Sequence, residues 1–386
     1  MTIMIFIDNQ QDFDAAMARF AAQPVVALDT EADSLHSYFD KVCLIQMSIP
    51  GEDLIIDPLC KFDLAKFGDI LADRAITKIL HGADYDLRIL NRDFGFTIAN
   101  LIDTMVCSQL LGYEAFGLAA LLDRHFGYKV DKKHQRADWA MRPLPPDMLE
   151  YAATDTRHLI ALATRLRDEL TALGRWEWAV EEFGRLEQIR FNEKDSDEEP
   201  FRRLKGLGVL DRRSLAVVRA LYDYRDGLAR EADRPPFKIF SNELIFEVAR
   251  IKPQSAQDFN AIKGVSGYHR GRYGRDVVRL VQEALAIPEE ELPEKSEAKA
   301  WLRDRELEAR IDRMKKARDK IARDLKVDAS VLAPRHILAT VAQAQPQEPA
   351  DLDRVPVMRN WQKALLGQAL IDALRGGAKS PQSKLF

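Results

Sequence analysis

Two acidic residues, Asp29 and Glu31, lie two positions apart after the apolar stretch 24–28. The Val and Leu residues of that stretch are typical of a buried β-strand. Because side chains alternate across a strand, both carboxylates are predicted to point to the same face. Like charges this close repel unless a cation lies between them, and Mg²⁺ and Mn²⁺ prefer carboxylate ligands. The pair indicates a divalent metal site, with two water-facing acids at a strand end as the simpler alternative.

A second acidic site follows the short stretch 78–81, a predicted buried strand that the chain leaves through Gly82 to enter a helix. The carboxyl ends of strands are where α/β proteins usually place their functional sites. Asp84 or Asp86 could therefore reach toward the first pair of acids. Taken alone, each is better explained as an acid at the start of a helix, where the helix dipole stabilises negative charge.

A third site combines Tyr151 and Asp155, which are four residues apart in a predicted helix and therefore neighbours on one face. The small side chains of Ala152 and Ala153 would let this helix lie close to a sheet. A phenol one turn from a carboxylate can orient a water molecule that a metal ion activates. A half-buried tyrosine that hydrogen-bonds to solvent is the commoner alternative.

The elements that position these residues belong to a predicted α/β domain, because the first 175 residues have the pattern of a mixed sheet flanked by helices. Strands are predicted at the N-terminus, around Asp29, and at 42–49, 54–56, 78–81 and 98–102. Helices are predicted at 9–22, 64–71, 83–91 and 103–111, and from 118 to 173 the pattern is helical throughout.

The rest of the chain is predicted to be all helical, after a polar and acidic stretch at 192–200. It contains two blocks of similar length with loosely similar patterns, which indicates diverged copies of one helical module. The predicted division of the chain has five parts: an α/β domain at 1–175, a connecting helix and linker at 176–205, helical domains at 206–289 and 290–375, and a tail at 376–386.

Composition excludes several classes of protein. The 386 residues are 46% hydrophobic and 31% charged, as in a globular protein, and no apolar run approaches the roughly 18 residues that cross a bilayer. The N-terminus lacks the features of a signal peptide. Three cysteines without paired or metal-ligand spacing favour a reducing cytoplasm and argue against zinc. A net charge of −4 neither indicates nor excludes a nucleic-acid partner.

Three stretches of the chain together resemble the motifs of the DEDD 3′–5′ exonucleases, in their tyrosine subclass. They are Asp29-x-Glu31, His81-Gly82-x-x-x-Asp86 and Tyr151-x-x-x-Asp155. The match selects Asp86 rather than Asp84. The stretch 138–144, Asp-Trp-x-x-Arg-Pro-Leu, looks like the ribonuclease D branch of these enzymes. The stretches 221–249 and 321–367 resemble two copies of the helicase-and-RNase-D C-terminal (HRDC) domain.

The resemblance implies a ribonuclease-H-like fold and metal-dependent removal of nucleotides from RNA 3′ ends, including those of tRNA precursors. Two divalent ions, Mg²⁺ or Mn²⁺, would clamp the scissile phosphate. By analogy with the family, Asp29, Glu31 and Asp155 would hold the first ion, and Asp29 with Asp86 would hold the second. Tyr151 would orient the attacking water.

Several questions remain open at the level of sequence. A DNA exonuclease of the repair type would have the same acids, and a non-catalytic RNA-binding scaffold is a further alternative, although a degenerate site would usually have lost a ligand. The helical domains could hold the body of an RNA or dock on the catalytic domain. The residues predicted to contact substrate are His36, Gln46, His81, Lys133 and Arg136. The last two belong to a basic run at 129–136 that is equally explained as a solvated loop.

Overall fold

The structure, a computed structural model, describes residues 2–131, 133–192, 199–295 and 305–376. The predicted tail after Gly376 and the acidic centre of the linker, 193–198, lie outside the described residues. As far as it is described, the chain forms two compact units. The first contains Met1–Ala32, Val42–Phe191 and Arg303–Phe386, and the second contains Asp33–Lys41 and Asn192–Leu302. The first unit therefore joins the α/β part of the chain with its C-terminal helical block.

A six-stranded mixed sheet forms the centre of the first unit. Its strands are β1 (Ile3–Ile7), β2 (Val25–Ala32), β3 (Val42–Ile49), β4 (Glu52–Ile56), β5 (Thr77–Leu80) and β6 (Leu101–Asp103). The spatial order is β1-β4-β3-β2-β5-β6, with β3 antiparallel to both neighbours and the other pairs parallel. The predicted mixed sheet is confirmed. Its last strand is shorter than the predicted 98–102 stretch and lies later in the chain.

The described part of the chain up to residue 192 has eight α-helices besides the sheet. They are α1 (Gln10–Ala21), α2 (Ala65–Ala72), α3 (Asp84–Phe94), α4 (Thr104–Leu111), α5 (Leu118–Phe126), α6 (Pro146–Arg157), α7 (Leu159–Ala172) and α8 (Trp176–Leu186). The β2 side chains divide between the two faces of the sheet. Val26 and Leu28 enter one apolar core, while Ala27 packs in another with α4 and α7. Asp29 and Glu31 share the face of Ala27, as the alternation of a strand requires.

The described residues between α5 and α6, 127–131 and 133–145, are not helical, so the prediction of continuous helix from 118 to 173 is wrong. Gly127 ends α5 at a φ of +64°, a left-handed conformation typical of a helix C-terminus. The prolines within 143–146 then delay the next helix, because a residue before proline is pushed out of the helical region. The indole of Trp139, 1% exposed, anchors the segment in a core with α6.

Within residues 199–295 and 305–376, nine further α-helices form the two helical blocks. The first block has α9 (Arg212–Glu231), α10 (Pro236–Ile239), α11 (Asn242–Ile251), α12 (Ala256–Asn260) and α13 (Gly267–Ala286). The second has α14 (Arg305–Leu325), α15 (Ala329–Leu332), α16 (Arg335–Ala344) and α17 (Asn360–Leu374). None of the helices within the described residues combines the length and apolar composition that spanning a bilayer requires.

The two blocks repeat the same internal contacts, as the loose similarity of their sequences predicted. Arg225 of α9 is buried and donates to the carbonyl of Phe240, fifteen residues further on. Arg318 of α14 is buried and donates to the carbonyl of Ala333 at the same separation. Each block thus uses one buried guanidinium to tie its long first helix to the end of the short second helix.

The second helical block packs on the α/β part of the first unit through one continuous apolar core, which includes residues of α4, α7, α8, α14, α16 and α17. Trp178 of α8 and Trp361 of α17 stack in this region. Arg175 donates to the carbonyls of Leu110 and Leu325, one on each side of the junction, at 2.8 Å. Close approach also constrains Gly112, because a Cβ there would overlap the carbonyl oxygen of Lys326. The second helical block therefore docks on the α/β part of the first unit.

Candidate active site

An acidic cluster lies on the face of β2 that α6 covers. One carboxylate oxygen from each of Asp29, Glu31 and Asp155 lies within 4.8 Å of the other two. The first two come from alternate positions of β2 and the third from α6, so a strand and a helix meet at the cluster. Three oxygen ligands at this spacing are suited to a hard divalent cation. The distances thus bring together three of the acids that the sequence singled out.

Close packing of α6 on the sheet positions Tyr151 and Asp155. Ala152 and Ala153 are completely buried against β3 and β4, so their small side chains let the helix approach the strands. The end of the helix is tied down as well, because the hydroxyl of Thr156 lies 2.6 Å from that of Ser48 on β3. These contacts fix the distance of α6 from the sheet and its rotation about its own axis, and so its position relative to the acids of β2.

Asp86 approaches the cluster from α3. It is 6% exposed, and it accepts a hydrogen bond from the hydroxyl of Thr30, the residue between the two acids of β2. The turn before α3 passes through Gly82 at a φ of +74°, and Asp103 accepts from the backbone N–H groups of Gly82 and Ala83 at 3.0 and 2.8 Å. This turn directs the first residues of α3 toward β2.

Asp84, the alternative acid in the same stretch, has a different environment. Its carboxylate is exposed and pairs with Arg88, four residues later on α3, at 2.8 Å. That arrangement is an ordinary surface ion pair on one face of a helix. The geometry therefore separates the two candidates, and it is Asp86 that faces the other acids.

The electrostatics of the cluster favour a bound cation. Burial, followed by repulsion from Asp86, Asp155 and Glu31, raises the pKa of Asp29 well above its usual range. Burial and then the charges of Asp155 and Asp86 raise the pKa of Glu31 in the same way. Burial raises the pKa of Asp86 and of Asp155 to about 7. A divalent ion would compensate the charge that burial and mutual repulsion penalise, so these side chains fit a metal site.

Tyr151 lies one turn before Asp155 and borders the same space. Its ring packs near Trp139, with 6.0 Å between ring centroids, and near His134, at 5.9 Å. Burial and then the charge of Asp155 raise the pKa of the Tyr151 phenol. The phenol therefore remains protonated at neutral pH and is available as a hydrogen-bond donor and acceptor beside the acids.

Comparison with known proteins decides the family. The chain matches the 3′–5′ exonuclease domain over residues 4–171 and the HRDC domain twice, over residues 214–281 and 308–374. Ribonuclease D of Acidiphilium cryptum (strain JF-5) is 30% identical over 374 residues, which cover 96% of this chain and 92% of that protein. The chain belongs to the ribonuclease D family.

Solved structures agree with that assignment. The crystal structure of Escherichia coli RNase D, described as an exoribonuclease involved in structured RNA processing, matches with a TM-score of 0.71 and 26% identity. The match covers 97% of this chain and 99% of that one. A protein from Bifidobacterium adolescentis matches with a TM-score of 0.80 and 28% identity, over 97% of this chain and all of that one.

The family membership confirms the predicted fold and activity. The protein is a 3′–5′ exoribonuclease that acts on RNA, rather than a DNA repair exonuclease or an inactive scaffold. Exonucleases of this family depend on divalent metal ions, in agreement with the acidic cluster. The two HRDC matches agree with the repeated buried arginines of the helical blocks.

A pocket of about 410 Å³ opens beside the acids in this ribonuclease D fold. Asp29, Tyr151 and Asp155 line it together with His81, whose Nδ1 lies 2.9 Å from the hydroxyl of Thr104. Burial lowers the pKa of His81, so the ring is neutral at pH 7. Of the five predicted substrate contacts, His81 is the one that the structure places in the same pocket as Asp29, Tyr151 and Asp155.

The other four predicted contacts have different surroundings. Lys133 is exposed, forms an ion pair with Asp147 at 2.7 Å, and borders a neighbouring pocket of about 330 Å³ that also reaches Tyr151. Arg136 is exposed on the same segment. His36 belongs to the second compact unit, with Nδ1 3.4 Å from Nζ of Lys238. Gln46 is 0% exposed, so direct contact with RNA is not what its position favours, and its role stays an untested prediction.

The sequence reasoning missed the residues that form the opposite wall of the pocket. These are Gly117, Leu118, Ala119 and Ala120 at the start of α5, with Val130 and Gln135 from the segment after it. The glycine before an apolar helical run marks where α5 begins, but no chemical group there distinguishes it. Only the folded chain shows that the start of α5 faces the end of β2.

Proposed function

We propose that the protein removes nucleotides one at a time from RNA 3′ ends by two-metal-ion hydrolysis, releasing 5′-phosphomonoesters. Asp29, Glu31 and Asp155 would hold one ion, and Asp29 together with Asp86 would hold the other, with Mg²⁺ or Mn²⁺ as the ion. The observation that carries the proposal is the half-buried cluster, in which oxygens of three acids lie within 4.8 Å of one another. Divalent ions bound there supply an activated water and stabilise negative charge on the leaving oxygen.

The side chains around the cluster would orient the attacking water, the Asp86 carboxylate and the terminal nucleotide. Tyr151, whose phenol stays protonated, would hydrogen-bond the attacking water and hold it in line with the scissile bond. The hydroxyl of Thr30 donates to Asp86 and would keep that carboxylate turned toward the site. His81, neutral and in the same pocket, would contact the terminal nucleotide of the RNA.

The proposed substrates are structured RNAs with a single-stranded 3′ extension, above all tRNA precursors. The family and the description of the Escherichia coli relative support this class of substrate. A site that binds only the last few nucleotides needs a free, unpaired 3′ end, and a stable acceptor stem would stop the enzyme near the mature terminus. We also propose that the protein works in the cytoplasm, which its three free cysteines support.

The test uses a tRNA precursor labelled at its 5′ end and carrying a short 3′ extension. With Mg²⁺ or Mn²⁺, the wild-type protein should shorten it in steps of one nucleotide and stop near the stem. Asp29→Asn should abolish shortening, and chelation of metal should do the same to the wild type. Asp84→Asn is the matched control, because this acid lies on α3 but pairs with Arg88 at the surface, and it should keep full activity. Activity of Asp29→Asn, or internal cleavage by the wild type, would contradict the proposal.

A further inference from the structure

Gln46 of β3 carries a buried amide that has no hydrogen-bond partner among the described residues. Its side chain is 0% exposed, and neither Nε2 nor Oε1 has a partner. Buried polar groups are almost always paired, because an unpaired amide forgoes its hydrogen bonds to water without replacement. The unpaired amide of Gln46 therefore indicates that it forms a hydrogen bond in another state of the protein.

The sheet register identifies that partner. Gln46 lies directly opposite Asp29 in the antiparallel pair of β2 and β3. Residues opposite each other point to the same face, with Cβ atoms about 4.5–5.5 Å apart, so the amide and the carboxylate are within reach. On its other side Gln46 faces Ile55 of β4, which offers no polar side-chain group.

Ser48 and the alanines of α6 do not offer the amide of Gln46 a free hydrogen-bonding group. Ser48, two residues further along the same face, already donates to Asp53 at 2.7 Å and contacts the hydroxyl of Thr156. The helix above contributes the methyl groups of Ala152 and Ala153 to the core that lies against β3. Of the two residues that the strand register places directly opposite Gln46, Asp29 is the one whose side chain can accept a hydrogen bond from the amide.

We propose that Gln46 is a positioning residue of the metal site, whose Nε2 donates to the carboxylate of Asp29 when divalent metal is bound. An ionised carboxylate only accepts hydrogen bonds, and its two oxygens have about four acceptor sites, so it can bind metal and accept from an amide together. The hydrogen bond would fix the orientation of the carboxylate that both ions share. Partners of this kind orient metal ligands and raise metal affinity. The inference rests on the proposed two-metal function.

The test replaces the amide without changing its volume greatly. In the full chain, Gln46→Met should fold with a Tm no lower than that of the wild type in chelator, because it removes an unpaired buried amide. Its affinity for Mn²⁺, measured by electron paramagnetic resonance, should fall by about tenfold or more. The metal concentration for half-maximal activity should rise by the same factor, while KM for a short RNA at saturating metal stays constant.

The control is Met47→Leu, which changes the next residue of β3 on the opposite face of the sheet, where Met47 packs in the other core. It should leave Mn²⁺ affinity unchanged. Wild-type Mn²⁺ affinity in Gln46→Met would overturn the inference, and so would a lowered Tm with unchanged affinity, since either result makes the amide a packing group. Asp29→Ala in the same assay tests the metal site itself. If it binds Mn²⁺ as the wild type does, the proposed function fails, independently of Gln46.

Discussion

Trp178 of α8 and Trp361 of α17 stack face to face, with 4.9 Å between ring centroids and 14° between ring planes. One ring belongs to the helix that follows the exonuclease domain, and the other to the second HRDC domain. Glu182 of α8 reinforces the contact, because it accepts from the indole nitrogen of Trp361 at 3.0 Å and from the guanidinium of Arg359 at 2.9 Å. The second HRDC domain is therefore part of the folded structure of the catalytic unit.

Removal of this contact should destabilise the protein. Trp361 is 6% exposed, and Trp361→Ala should lower the free energy of unfolding by about 3–5 kcal/mol, as large-to-small changes in a core do. Tyr268→Ala is the matched control, because Tyr268 is also the second residue of the last helix of its block but is 61% exposed. It should change stability by about 0.5 kcal/mol or less. Equal effects in denaturant titrations would show that the stacked rings add nothing.

Tyr151→Phe should lower turnover by about 100-fold or more while metal affinity changes little. The phenylalanine ring keeps the contacts with Trp139 and His134, so only the hydroxyl that would orient water is lost. Single-turnover hydrolysis of a short RNA, alongside Mn²⁺ binding, measures the two quantities. A parallel loss of metal affinity would instead make the phenol a structural partner of Asp155, and unchanged turnover would remove it from the mechanism.

Thr30→Val should weaken metal binding about tenfold or more, because it removes the donor that orients Asp86 and leaves a side chain of the same shape. Thr164→Val is the control, since the hydroxyl of Thr164 donates within α7 to the carbonyl of Ile160. Isothermal titration calorimetry with Mn²⁺ measures the metal affinity of the two variants. Were both variants to bind Mn²⁺ like the wild type, the Thr30 hydroxyl would have no part in the metal site.

Stability of the metal-free protein should fall as pH rises toward neutrality. Asp86 and Asp155 have pKa values of about 7 in the folded state, raised from the usual value for aspartate of about 4 in the unfolded chain. Between these values the folded state binds more protons than the unfolded state, so a rise in pH disfavours folding. The Tm in chelator should therefore drop between pH 5 and pH 8 by more in the wild type than in Asp155→Asn. Identical slopes would contradict the raised pKa.

Metal binding should show the opposite dependence on pH. The ligands must be ionised to hold a cation, so metal has to displace protons from Asp86 and Asp155 below about pH 7. The metal concentration for half-maximal hydrolysis should fall as pH rises from 6 to 8. A requirement independent of pH in this range would mean that neither carboxyl group is protonated in the metal-free enzyme.

Part of the candidate metal site could be predicted from sequence because it is encoded by local spacing. Alternation on β2 puts Asp29 and Glu31 on one face, and helical spacing puts Tyr151 beside Asp155. The assignment of Asp86 over Asp84 needed the family motif, since both lie in the first turn of α3 and only tertiary contacts separate them. The periodicity of a sequence shows which residues share one face of a strand or helix. It does not show which face packs against another element.

The surroundings of His36 and Gln46 and the docking of the second HRDC domain could not be predicted, because they depend on contacts between residues that are distant in sequence. His36 is five residues from Glu31 yet belongs to the second compact unit, so closeness along the chain was a poor guide to its surroundings. The buried state of Gln46 follows from the helix that covers β3, which is encoded a hundred residues later. Docking of the second HRDC domain likewise brings Arg175 to the carbonyl of Leu325, across 150 residues.

The first unit is built from segments that are far apart in sequence, and this affects how the protein folds during synthesis. Its core contains both α8, near residue 180, and α17, which ends at Leu374. A ribosome adds about 5–20 residues per second, and domains generally fold as they emerge. The part of α8 that packs on α17 therefore stays uncovered while the residues between the two helices are synthesised and until α17 leaves the ribosome. A nascent chain of this ribonuclease completes its catalytic unit only after α17 has emerged, and the exposed surface of α8 is a binding site for chaperones during that interval.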